Sequence, residues 1–98
     1  MINAEGRLAL ALEDAIEGFD FSLDAASVDF EVETSPNTNQ YIIVYADGER
    51  HAYVTAETFA HGVPVVFVDI CSVDADGDER WVCGDMTVAE AIPYIVNA

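Results

Sequence analysis

The chain reads as an α+β domain, a four- to five-stranded, mainly antiparallel sheet with an N-terminal and a C-terminal helix packed on one face of it. Three observations predict this. Apolar residues recur at helical spacing near the N-terminus (Leu8, Leu12, Ile16) and again after Thr87. Between them lie β-branched and aromatic stretches, the first of which, Val28-Asp29-Phe30-Glu31-Val32-Glu33, alternates apolar with acidic residues. Turn chemistry separates these stretches at Ser35-Pro36-Asn37-Thr38-Asn39, at Asp47-Gly48 and at Asp74 to Glu79. The 98 residues suit one domain over 1–98, a size that buries about 60–70 % of its unfolded surface.

The first helix is expected to start near Asn3 and to end near Glu17, with Gly18 as its stop. Phe19-Asp20-Phe21-Ser22-Leu23-Asp24 again alternates, as a short strand or an extended connection. In the strand Val28 to Glu33, Val28, Phe30 and Val32 face a core, and Asp29, Glu31 and Glu33 form a row of carboxylates facing out. Gln40 to Ala46 is the next strand, and Tyr41 to Tyr45 within it is apolar on both faces, which suits a central strand covered from both sides. Asp47-Gly48 turns the chain back through His51 to Val54. Thr55 then stands where it would cap one or two helical turns over 56–62.

Val63 to Val73 forms a long strand with Pro64 near its start, and Arg80 to Cys83 returns from the acidic tip. Thr87-Val88-Ala89-Glu90 is a capping box that opens the last helix, where Pro93 removes a backbone donor. The aromatic residues Trp81, Tyr41, Tyr45, Tyr53 and Phe67 are read as core packing, because base-stacking platforms come with a basic groove that this chain lacks.

No catalytic, cofactor or metal site is predicted. The tip has Asp74, Asp76 and Asp78 at calcium-loop spacing, but Glu79 occupies the position that needs glycine, and the flanks read as strands. His51 and His61 are the only imidazoles, and they fall outside any hydrolase or zinc-protease motif. Cys71 and Cys83 lack ligand spacing. They face each other only if the last hairpin has a three-residue loop, and free thiols are expected in a cytoplasmic chain. The apolar run from Leu8 to Leu12 is too short for a signal peptide, and the longest charge-free run, Thr34 to Ala46, is 13 residues, too short to span a membrane.

Charge is the informative feature. Nineteen acids face three arginines and no lysine, for a net charge of −16. Neighbouring carboxylates on a strand face stand about 6.7 Å apart and repel by roughly 0.6 kcal/mol in water. Acids near the C-terminal end of the first helix also oppose its macrodipole. Charge placed against stability points to a cationic partner or to a high-salt habitat, and it disfavours direct binding to nucleic acid or to an anionic membrane.

Duplex DNA carries about eight charges over the roughly 13 Å from Asp29 to Glu33, so three carboxylates are too few to imitate it. Glu13, Asp14, Glu17, Asp20 and Asp24 precede that row with no basic residue between, and the eight together are the expected partner-binding set. They act jointly only if the helix and the strand present their acids to one side of the fold.

In size and composition the chain resembles the small acidic inhibitors encoded by phages and mobile elements, which block restriction enzymes, CRISPR effector complexes or other DNA-binding proteins. The resemblance implies a non-catalytic mimic of nucleic-acid phosphates whose partner is a basic nucleic-acid-binding protein or effector complex. A salt-adapted domain and an acidic protein-interaction module of unrelated role are the alternatives.

Overall fold

The computed structural model describes residues 4–34, 39–58 and 62–97. Its elements are α1 (Ala4–Ala25), β1 (Phe30–Thr34), β2 (Gln40–Tyr45), a short 3-10 turn (Ala46–Gly48), β3 (Arg50–Thr58), β4 (Pro64–Val73), β5 (Glu79–Met86) and α2 (Val88–Val96). The five strands form an antiparallel meander in the order β1-β2-β3-β4-β5. Both helices pack on one face, α1 across β3 and β4, and α2 over β4 and β5. The α+β architecture read from the sequence is the one observed.

The first helix does not stop at Gly18. It runs on to Ala25, so residues 19–24 are helical and not extended. A mid-helix glycine costs about 1 kcal/mol relative to alanine. Phe19 and Leu23, both 0 % exposed, more than offset this by extending the buried line of Leu12 and Ala15. The helix ends in a Schellman motif. Val28 N–H donates to Leu23 O at 2.9 Å, Ser27 N–H donates to Asp24 O at 3.0 Å, and Ser27 takes the left-handed conformation (φ 59°) that glycine usually supplies.

Cross-strand register sorts the sheet into two faces. Tyr45, Ile43 and Tyr41 pair with Phe30, Val32 and Thr34 on one side and with Arg50, Ala52 and Val54 on the other. These lie on the helix-covered face, where Ile43, Ala52, Val54, Ala56, Val68 and Ile70 are all fully buried. Ala52 and Ala56 are the small buried residues of β3, one of the two strands that α1 packs across. The opposite face carries Glu31, Glu33, Ile42, Val44, His51, Tyr53, Phe67 and Cys71. No described element covers it, so β2 is covered from one side and not two. Both helices enter and leave on the same side of the sheet.

Other expectations need correction. Residues 56–58 continue β3 because Ala56, Glu57 and Thr58 pair with Val66, Val65 and Pro64. Residues 59–61 of the expected short helix, including His61, lie outside the described residues, as do 35–38 of the first turn. The last hairpin has a five-residue loop, since Val73 pairs with Glu79. That loop sets Cys71 opposite Trp81, and a bulge at Val82 then sets Cys83 opposite Ile70. The two cysteines face opposite sides of the sheet and are free. Trp81 is 69 % exposed and is not a core residue.

Local chemistry behaves as read at the turns. Ala46, Asp47 and Gly48 all have positive φ (53°, 56° and 87°), the left-handed run that Asp-Gly permits. The Thr87 hydroxyl accepts from Glu90 N–H, and the Glu90 carboxylate accepts from Thr87 N–H, both at 3.1 Å.

The bulge at Gly84 and Asp85 is closed by Asp69, whose Oδ1 accepts from Asp85 N–H at 3.1 Å. A methyl group at Gly84 would run into that carboxylate and into the Trp81 indole. Gly84→Ala should therefore lower the unfolding free energy by about 1–3 kcal/mol, through displacement of Asp69 and loss of the bulge hydrogen bond. Urea denaturation followed by circular dichroism measures this, and an unchanged midpoint would mean that Asp69 is dispensable.

Candidate partner-binding surfaces

Turning about 100° per residue, α1 places Glu13, Glu17, Asp20 and Asp24 within a sector about 60° wide on one flank of its buried line. All four are exposed. They recur at i, i+4, i+7 and i+11 and span about 16 Å of helix. Asp14 is exposed as well but falls off this row. Glu13 and Glu17 line a shallow cleft with Ile16 and Tyr41, so the row looks toward β2 and β1, away from α2.

The strand acids lie elsewhere. Glu31 and Glu33, paired with Val44 and Ile42, point from the bare face of the sheet. Asp29 stands just before β1, in a cleft shared with Glu31 and Asp47. The structure thus divides the eight acids. The helix row is on one side of the sheet and the strand row on the other, and they do not form one continuous face. They do flank the same margin, because α1 leaves β1 uncovered. Val32, on the helix side of β1, is 40 % exposed for that reason.

The helix row works against its own helix. Glu13–Glu17, Glu17–Asp20 and Asp20–Asp24 are like-charge neighbours at i, i+3 or i+4, each destabilising by about 0.2–0.5 kcal/mol. The last turn holds no basic residue to complement the macrodipole.

A second cluster on the bare face went unread in the sequence. His51 Nδ1 lies 2.7 Å from Glu79 Oε1, and the Tyr53 hydroxyl donates to the same oxygen. As an ionised carboxylate only accepts, His51 carries its proton on Nδ1. The Tyr53 hydrogen bond first, and the His51 contacts with it, hold the Glu79 carboxyl below its ordinary range against a smaller opposing effect of burial. Burial, followed by the bond to Glu79, pushes the Tyr53 phenol far up. Cys71 is also pushed up, by burial and then by Glu79 and Asp69, which favours its thiol form. The alternation of residues put His51 and Tyr53 on one face, but only the hairpin register brings Glu79 to them.

A depressed carboxylate contributes stability above its unfolded pKa, and that contribution disappears as pH falls through the lower folded value. Tyr53→Phe should move the Glu79 titration up toward the ordinary carboxylate range and weaken the acid limb of stability. Carboxyl carbon NMR over a pH series reads it directly. An unmoved Glu79 titration would assign the depression to His51.

Among the described residues, no three or more His, Cys, Asp or Glu side chains are grouped to hold a metal ion. In the acidic tip, Asp74 Oδ1 accepts from Asp76 N–H and Asp78 N–H at 3.0 Å each and so closes its own turn. No described helix is long and apolar enough to cross a membrane. Comparison with protein-family models, with curated proteins and with solved structures finds no match.

Proposed function

We propose that this chain is a non-catalytic acidic inhibitor that imitates nucleic-acid phosphates and occupies the cationic groove of a DNA- or RNA-binding protein. The target class is that of restriction enzymes and CRISPR effector complexes, met in the cytoplasm of a host cell. The helix row carries the reading. Four carboxylates over about 16 Å compare with roughly five phosphates on one DNA strand over the same length. They are held on a helix, where they cost stability, and among the described residues none of them is ion-paired to an arginine. The strand row, beyond a helix layer about 10 Å thick, supplies a second line of charge at the same margin.

Association should be fast and salt-dependent, because complementary potentials steer the encounter and salt screens them. The test is a pull-down from the native host, followed by DNA competition against the captured partner in increasing salt. Displacement of one ligand by the other supports mimicry. A ternary complex of partner, DNA and this protein would overturn it.

The exposed acids of the remote tip, Asp74, Asp76, Asp78 and Glu79, favour a salt-adapted surface as the second reading. Thermal unfolding without added salt and in molar KCl separates the two. A mimic keeps its cooperative transition in low salt, whereas a salt-adapted domain loses it.

A further inference from the structure

The bare face of the sheet is not built to meet water. Ile42 and Val44 of β2, Tyr53 of β3, Val65 and Phe67 of β4 and Trp81 of β5 share it by register. Trp81 is 69 % exposed and Val65 40 %. Single exposed apolar residues are ordinary, but six on one face across four strands, interspersed with His51, Thr55, Asp69 and Cys71, mark an interaction surface. A solvent-facing antiparallel sheet presents polar residues there instead.

Acids surround and enter this face, with Glu31 and Glu33 on β1, Glu57 at the end of β3, Asp69 paired with Tyr53 on β4, and Glu79 on β5, whose carboxylate reaches in to His51 and Tyr53. None of the three arginines points from it. Arg50 and Arg80 both pair with Ser72 on the helix side, and Arg7 is in α1. A second copy of this chain would bring a charge of −16 against its equal, with its three arginines off the face. Charge complementarity selects a basic partner with an apolar centre.

We propose that this face docks a cationic amphipathic helix of a partner protein. Four strand spacings make the face about 19 Å wide. A helix about 10–12 Å across, laid along β3, leaves room on each side for Lys or Arg to reach the acidic margins. Its apolar ridge would lie on Ile42, Tyr53 and Phe67, with Trp81 closing one side. The inference rests on the reading above for the partner's positive charge alone, and it uses a different surface from the α1 row.

Trp81 is the only tryptophan in the chain and therefore reports occupancy of this face. The probe is a synthetic amphipathic helical peptide of leucine and lysine. Its control is the same peptide with every leucine replaced by glutamine, so that the charge is equal. At roughly physiological salt the leucine peptide should shift Trp81 emission to the blue and bind at least about tenfold tighter than the control. Ile42→Thr with Val44→Thr, which keeps β-branched residues in half-exposed positions, should remove that advantage without moving thermal unfolding.

Neutralising Glu13, Glu17, Asp20 and Asp24 should leave the blue shift in place, so a failure of phosphate mimicry is distinguishable from a failure here. Equal binding of the two peptides, unshifted Trp81 emission, or an unaffected double variant would each overturn the proposal. So would a dimer in sedimentation equilibrium that buries Trp81.

Discussion

Phe19→Ala should lower the unfolding free energy by about 3–5 kcal/mol, the range for truncating a buried phenylalanine. Small domains are stable by only about 5–15 kcal/mol, so the variant sits near its threshold at room temperature. Phe19 is 0 % exposed and lies between Leu12 and Leu23 on the line that α1 buries against β3 and β4. Phe21→Ala is the informative companion. In a strand, Phe19, Phe21 and Leu23 would share one face, and all three would be buried. In the helix, Phe21 is turned about 180° from the buried line and is 78 % exposed. Its truncation should stay within about 0.5 kcal/mol. Urea midpoints for the two variants, with the denaturant slope held in common, measure the difference. Equal losses would contradict a helix through residues 19–24.

That pair of phenylalanines shows where local pattern loses to tertiary packing. Phe-Asp-Phe-Ser-Leu-Asp alternates like a strand, and Gly18 looks like a stop. Both signals are worth about 1 kcal/mol or less, and burying Phe19 and Leu23 outweighs them. The same holds for Ala56. Behind a threonine it resembles the start of a helix, yet its pairing with Val66 in β4 makes it a strand residue.

Signals that depend on a few adjacent residues were legible, as the Asp47-Gly48 turn and the Thr87–Glu90 capping box show. Strand alternation likewise placed Glu31 and Glu33 on one side of β1. Which side of the sheet would receive α1 was not legible, because it depends on the hand of the connection over residues 26–29. That hand decides whether the helix acids and the strand acids share a face, and they do not. Trp81 was misread for a related reason. The five-residue loop that sets it opposite Cys71, on the bare face, appears only when β5 is laid against β4.

Neutralising the helix row with Glu13→Gln, Glu17→Gln, Asp20→Asn and Asp24→Asn should move stability and binding in opposite directions. Removing three like-charge neighbours and two acids near the C-terminal end of α1 relieves about 1 kcal/mol in total. For a chain of this length that raises the melting temperature by about 4–8 °C. Affinity for the captured partner should fall about 30- to 1,000-fold, at roughly 0.5–1 kcal/mol per charge. The salt dependence of binding should flatten with it, because fewer charges are screened. Asp14→Asn, off the row, should change affinity little and so controls for net charge. Glu31→Gln with Glu33→Gln tests whether the strand row grips the same groove from beyond the sheet. A salt-adapted surface would behave differently, since its acids serve solvation collectively and no single row is privileged. Should the fourfold variant be stabilised and still bind as tightly, the α1 row would have no part in recognition. Mimicry would then have to rest on the strand row, which has too few charges to carry it alone.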